Sequence, residues 1–221
     1  AEGRPRVGSG VFVLAFMLSL RKERFCLSPI SHDRLWKQLT VTFFEDFIAL
    51  FFPESYGRLD FSHVKFLQQE VSAGIAHGRV RHVDVLAETR LKGAGEDGTM
   101  LVHIELQAAP QSGFGKRMFR YFALLWLKYE KPIWPIAVLE SGGMDEGRYR
   151  FELQSPVGEV LSFRFYEVDL KKLDWREYAG KNNPVAAALL AKMRHREDER
   201  AAVRLAFLRM MARLKLDASR E

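Results

Sequence analysis

Hydrophobic positions along the chain recur at two different periods, and the places where one gives way to the other mark the order of the elements. From Ser31, which is placed to cap a helix, the apolar residues Leu35, Leu39, Phe43, Phe47 and Leu50 return at helical spacing until Pro53 stops the run. A second helix is predicted from Asp60 or Ser62, turning Val64, Leu67 and Val71 inward, and Gly74 to Gly78 breaks the chain. The period then becomes two. In residues 81–91 Val83, Val85, Ala87 and Leu91 alternate with His82, Asp84, Glu88 and Arg90, with Leu86 the exception; in residues 100–108 the parity reverses, Met100, Val102, Ile104 and Leu106 alternating with His103, Glu105 and Gln107. This predicts two half-buried strands, joined through the turn-rich residues 93–98 as an antiparallel hairpin. Beyond Pro110 the pattern predicts a helix over residues 114–130, a buried strand at residues 133–139 and two more strands at 149–154 and 161–168. Asn183-Pro184 opens a helix by setting a capping side chain before a proline at the first helical position. A final helix, roughly residues 197–216, is packed by Leu205, Phe207, Leu208 and Met211.

The hairpin parity also fixes which polar groups share a face. If both apolar faces point at one core, Asp84 lies opposite either Gln107 or Glu105, depending on one step of register. In both registers Asp84, Glu105 and Gln107 emerge together, directly paired residues being about 4.5–5.5 Å apart. Two carboxylates at that separation can share one hard divalent cation, which takes oxygen ligands and keeps several waters. The plainer reading is a pair of solvent-facing strand residues, although Asp is depleted in strands and like charges across a ladder repel.

Composition narrows the class. With 221 residues, 48% of them hydrophobic, the chain can bury a sizeable core, and its single cysteine, Cys26, excludes a disulfide-stapled scaffold and zinc ribbons and favours a reducing cytosol. The net charge of +6 is concentrated at the ends. Residues 1–27 hold 5 basic and 2 acidic groups, residues 192–221 hold 9 and 5, and the middle carries 20 and 21. The centre therefore has no global field for phosphate, and any contact with DNA there is local. Residues 11–20 form an apolar run between basic flanks, too short to span a bilayer and without a small-residue cleavage site after it, so no stable membrane span is expected. Gly93-x-Gly95-x-x-Gly98 matches a dinucleotide fingerprint in letters only, since it leads into a strand and carries Glu96 and Asp97. The six histidines show no paired metal spacing; His103 shares the parity of the acids, and a structural role is the stronger reading for it.

The ordered series Asp46-Phe47-Ile48-Ala49-Leu50-Phe51-Phe52-Pro53, Arg81-His82-Val83-Asp84-Val85-Leu86, His103-Ile104-Glu105-Leu106-Gln107 and Lys116-Arg117-Met118-Phe119-Arg120-Tyr121 resembles the Rpn family of recombination-promoting nucleases and putative transposases, a YhgA-like branch of the PD-(D/E)XK superfamily. The likeness runs from about Ser31 to Leu216. It implies an α/β fold, with a restriction-endonuclease-like central mixed sheet flanked by helices and a C-terminal helical extension. It also implies an N-terminal extension at residues 1–27, a nuclease core at 28–170 and a helical region at 171–221. The activity implied is metal-dependent DNA endonuclease chemistry in recombination or on mobile or foreign DNA, in the cytoplasm, with a homodimer compatible. The alternative is a catalytically silent nucleic-acid-binding or protein-interaction module. Asp84 and Glu105 would hold Mg²⁺, or Mn²⁺, and Gln107 would take the position usually occupied by Lys. That substitution matters, because Lys brings a charge whereas Gln can only orient a water. Many relatives add a Glu from the first helix, where this chain has Gln38 and Glu45. Lys116, Arg117 and Arg120 would contact nucleic acid; their spacing makes two adjacent rows, Lys116 with Arg120 and Arg117 with Tyr121, either of which could reach phosphate while the other packs on the hairpin.

Overall fold

The computed structural model describes residues 32–71, 81–108, 112–140 and 150–218. Along them run α1 (His32–Thr42), α2 (Phe44–Phe51), a single helical turn at Pro53–Tyr56, β1 (Leu59–Phe66), β2 (Glu70–Val71), β3 (Arg81–His82), β4 (Val85–Leu91), β5 (Thr99–Gln107), α3 (Phe114–Tyr129), β6 (Ile133–Leu139), β7 (Arg150–Ser155), β8 (Gly158–Arg164), β9 (Tyr166–Asp169), α4 (Trp175–Tyr178), α5 (Pro184–Leu189) and α6 (Arg200–Ala218). The class is α/β, and its main sheet is mixed. Its five strands lie in the order β1-β4-β5-β6-β9. The first three are antiparallel neighbours, whereas β6 and β9 add in parallel. The chain divides into two compact units, Glu54–Asp169 and a second built from the segments before and after it.

In the sheet unit, β4 and β5 pair as the alternation predicts, with Val85 opposite Ile104 and Leu86 opposite His103. The strands are not half-buried, however. Leu86, Leu101, Val102, His103 and Ile104 are all essentially inaccessible, so both faces are covered. On the face that carries His103 the cover includes α3, whose Tyr121 and Leu125 cluster with Val83, Leu86 and Leu101. Farther along, α3 sets Phe114 and Met118 against Ala137 and Leu139 of β6 and Phe163 and Phe165. A parallel β5–β6 pair needs a crossover, and α3 is that crossover. Gly113, at φ 74°, starts it with a left-handed residue that glycine adopts without steric cost.

Two expectations fail here for local reasons. The helix expected from Asp60 or Ser62 is instead β1, pairing antiparallel with β4. Its ladder shifts register between Asp60 and Lys65, and that irregularity breaks the period-two alternation, so that Val64 and Leu67, with Val71 beyond them, fall at a spacing that imitates a helix. The strand expected at residues 161–168 is two strands, because β8 pairs with β7 and β9 pairs with β6, the chain changing sheets at Phe165.

In the other unit the helix expected from Ser31 to Pro53 is broken at Phe43, whose ψ of 42° is not helical. The β-branched run Thr40-Val41-Thr42 just before it weakens the helix there. Asn183 caps α5 as the sequence implies: its Oδ1 accepts from Ala186 N at 2.9 Å, and its Nδ2 donates to the Asp46 carbonyl at 2.9 Å, tying α5 to α2. On α6 the buried stripe is Val203, Phe207, Met210 and Met211, whereas Leu205 and Leu208, expected inside, are exposed. Residues 1–27, the Ser31 cap and the Gly74 to Gly78 break lie outside the described residues. Among the described residues no helix is long and apolar enough to cross a membrane.

Candidate active site

Asp84 sits one residue before β4 begins, and the β4–β5 register continued by one step places it across from Glu105, the nearer of the two pairings the parity allows. Hydrogen bonds fix both acids from the backbone of the facing segment. Asp84 N donates to Glu105 Oε1 at 3.0 Å, and Leu106 N donates to Asp84 Oδ2 at 2.9 Å. Gln69 Nε2 also donates to the Asp84 carbonyl at 2.7 Å, tethering the segment from the β1–β2 connection. These bonds hold the two side chains where the antiparallel pairing ends, so their orientation is set by the ladder rather than by flexible loop contacts. Both groups are little exposed, Asp84 at 9% and Glu105 at 3%.

His103 lies on the same face two residues before Glu105. Its Nε2 is 3.0 Å from Glu105 Oε1, its Nδ1 has no hydrogen-bond partner among the described residues, and its ring meets Tyr121 edge-on at 5.7 Å between centroids. The ring is fully buried beneath α3, with the tautomer that protonates Nε2 able to donate to Glu105. Its parity with the acids was a visible signal of this contact; the tether from Gln69 had no signal in the sequence at all.

Gln107 ends β5 opposite Leu139 of β6. Arg117 Nη2 donates to its side-chain oxygen, and the same guanidinium stands 4.9 Å over the Phe114 ring. Of the two basic rows on α3, Arg117 and Tyr121 therefore face the sheet, and Lys116 and Arg120 are exposed. Gln38 and Glu45, the first-helix candidates, are both exposed in the other unit.

The donor set can be compared with what a cation requires. Among the described residues the hydrogen bonds to the Glu105 carboxylate, from Asp84 N and His103 Nε2, both fall on Oε1, so that Oε2 is the oxygen with which it would meet a ligand. Among the described residues there is no group of three or more His, Cys, Asp or Glu able to hold a metal ion. Two carboxylates suit Mg²⁺ or Mn²⁺, bound through one or two acids with water completing the shell, and do not suit a structural Zn²⁺ site with its four nitrogen or sulfur ligands.

A second polar cluster occupies the β1 side of the same hairpin. Asp60 accepts from Ser62 Oγ at 2.5 Å and Arg90 Nε at 3.0 Å, and its Oδ2 is 2.7 Å from His63 Nδ1. The Ser62 hydroxyl first, with Arg90 and His63 adding to it, holds the Asp60 carboxyl well below the usual carboxylate range. Comparison of the chain with protein-family models, with characterised proteins and with solved structures gives no match.

Proposed function

We propose that this chain is a metal-dependent DNA endonuclease of the restriction-endonuclease-like kind, as its resemblance to the Rpn family implies. The observation that carries the reading is the meeting of Asp84 and Glu105 at the end of the β4–β5 ladder, each held by a backbone N–H of the other's segment. A Mg²⁺ held by these two acids would supply an activated water and neutralise charge gathering on the scissile phosphate. The chain's own residues do the rest. The Leu106 and Asp84 amides hold the carboxylates in fixed orientations, and His103 braces Glu105 from beneath.

Gln107 carries no charge, and Arg117 compensates for that. Arg117 engages the Gln107 carboxamide oxygen, and its guanidinium brings a fixed positive charge close to the position usually held by Lys. Lys116 and Arg120, exposed on α3, are available to the nucleic-acid backbone.

The test is a supercoiled-plasmid assay with Mg²⁺ or Mn²⁺ against a chelator, on the unmutated chain and on Asp84→Ala and Glu105→Ala. Nicking that needs the metal and is lost in both variants is the expected result; metal-dependent nicking that survives in both contradicts the assignment. A second reading, a silent DNA-binding module, is favoured by one observation: Glu105 is almost wholly buried and already engaged by His103. DNA binding without cleavage under either metal would select it.

A further inference from the structure

Helix α6 carries two apolar stripes, one buried and one exposed. At 100° per residue, Val203, Phe207, Met210 and Met211 make the buried stripe, and a second falls roughly opposite, made of Ala201, Leu205, Leu208 and Ala212. All four residues of the second stripe are exposed, Leu205 at 48% and Leu208 at 58%. Their spacing of four, three and four is that of a seam between two helices, with small residues at both ends and leucines between them. The residues beside the seam are all of one sign. Arg204 borders it on one side, with Arg209 and Arg213 on the other; each is exposed, and among the described residues none is in an ion pair. Next to Arg204 a recess of about 210 Å³ is lined by Ala191, His195, Arg200, Val203 and Arg204.

We infer that this face of α6 is a docking surface for an acidic amphipathic helix of another protein, its leucines entering the seam and its carboxylates meeting Arg204, Arg209 and Arg213. Charge decides the occupant. A second copy of this chain is disfavoured, because pairing through Leu205 and Leu208 in parallel sets Arg204 against Arg209 of the other copy and antiparallel pairing also sets Arg beside Arg. A duplex would meet the arginines but leave two leucines against phosphate and sugar, and a membrane surface calls for a wider apolar arc than two leucines and two alanines offer. The inference does not depend on the nuclease reading, since no residue of the β4–β5 hairpin takes part.

The experiment uses the full chain and a fluorescein-labelled 21-residue helical peptide with Leu at its a and d positions and Glu at e and g, read by anisotropy. Saturable binding is expected, weakened about tenfold or more by Leu205→Gln with Leu208→Gln and likewise by Arg204→Glu with Arg209→Glu. The charge-reversed variant should instead take the same peptide with Lys at e and g. Thermal melts of the variants check folding, and their substitutions lie on exposed positions. Failure of the acidic peptide to saturate, or binding indifferent to either pair of changes, overturns the inference. So does tighter, seam-dependent binding to phosphatidylserine vesicles or a 20-base-pair duplex, or self-association in sedimentation that the leucine changes abolish.

Discussion

The two polar clusters beside β4 differ in how their acids are held. At the β1 side Asp60 is met by a hydroxyl, a guanidinium and an imidazole, all at the surface, and its charge is satisfied by its neighbours. At the other end Asp84 and Glu105 are buried, hold one another through backbone amides, and Glu105 meets a histidine and no Lys or Arg among the described residues. Surface acids surrounded by donors stabilise a sheet edge at little cost. Two acids buried side by side are expensive unless something brings positive charge to them. The contrast is between a surface acid held by side-chain donors and a buried pair held by backbone amides, and on the reading proposed above a metal ion is what the buried pair would hold.

Cleavage gives the largest expected difference between the two ends. Asp84→Ala and Glu105→Ala should each lower metal-dependent plasmid nicking by on the order of 10²-fold or more, since even outer partners of a metal site are worth about 10–100-fold. Asp60→Ala should leave the rate nearly unchanged. Equal losses at both ends would erase the distinction.

A smaller effect concerns the charge beside Gln107. Gln107→Lys alone sets an ammonium against the Arg117 guanidinium and should cost about tenfold, by like-charge repulsion within a few ångströms. Adding Arg117→Gln to it should restore activity, because the pair then exchanges roles. If the single change raises the rate, Arg117 is not the source of charge in this site.

Melting temperatures against pH compare acids of opposite sign. Asp60, held low, contributes stability that is present above the ordinary Asp value near pH 4 and is lost as pH falls through its own lower value. Asp60→Asn should therefore lower the melting temperature at pH 7, and the difference should close in acid. Asp46, on α2, is pushed up to about 6, first by burial and then by the adjacent Glu45. Its proton is bound more tightly in the folded chain, so stability is lost as pH rises from near 4 to 6. Asp46→Asn should raise the melting temperature at pH 8 and change little near pH 4. Parallel pH curves for the two variants would show that neither shift governs folding.

The smallest effect is on DNA affinity. Lys116→Ala with Arg120→Ala should weaken binding to a short duplex several-fold and flatten its salt dependence by about two phosphate contacts' worth. An unchanged slope would return this exposed row to a solvated helix face.

Where side-chain parity decides structure, the sequence could be read directly. The reversal of parity between Val85 and Ile104 fixed the hairpin to within one step, and the continuous run Ile133–Leu139 announced a strand buried on both faces. Legibility ended where the period was broken or where a contact was long-range. The register shift in β1 disguised a strand as a helix, and Phe165 divided one apparent strand between two sheets. Burial of His103 depends on α3, whose Tyr121 meets its ring, and no alternation within β5 could reveal that cover. Likewise the spacing on α6 shows an amphipathic helix but not which of its apolar residues the fold buries, so Phe207 and Met211 are inside as expected and Leu205 and Leu208 are not.

The most direct test of the central claim needs no turnover. Thermal melts of the unmutated chain and of Asp84→Asn, which keeps an oxygen to accept from Leu106 N, can be followed through a Mg²⁺ titration after chelation. A ligand that binds only the folded chain raises its stability by about 1.4 kcal/mol at roughly tenfold excess over Kd. The unmutated chain should melt higher as Mg²⁺ is added, while Asp84→Asn, at least as stable as the unmutated chain under chelation, should not respond. Equal Mg²⁺ shifts in the two proteins, or a large loss of stability in chelated Asp84→Asn, would contradict the metal assignment and make Asp84 a structural residue.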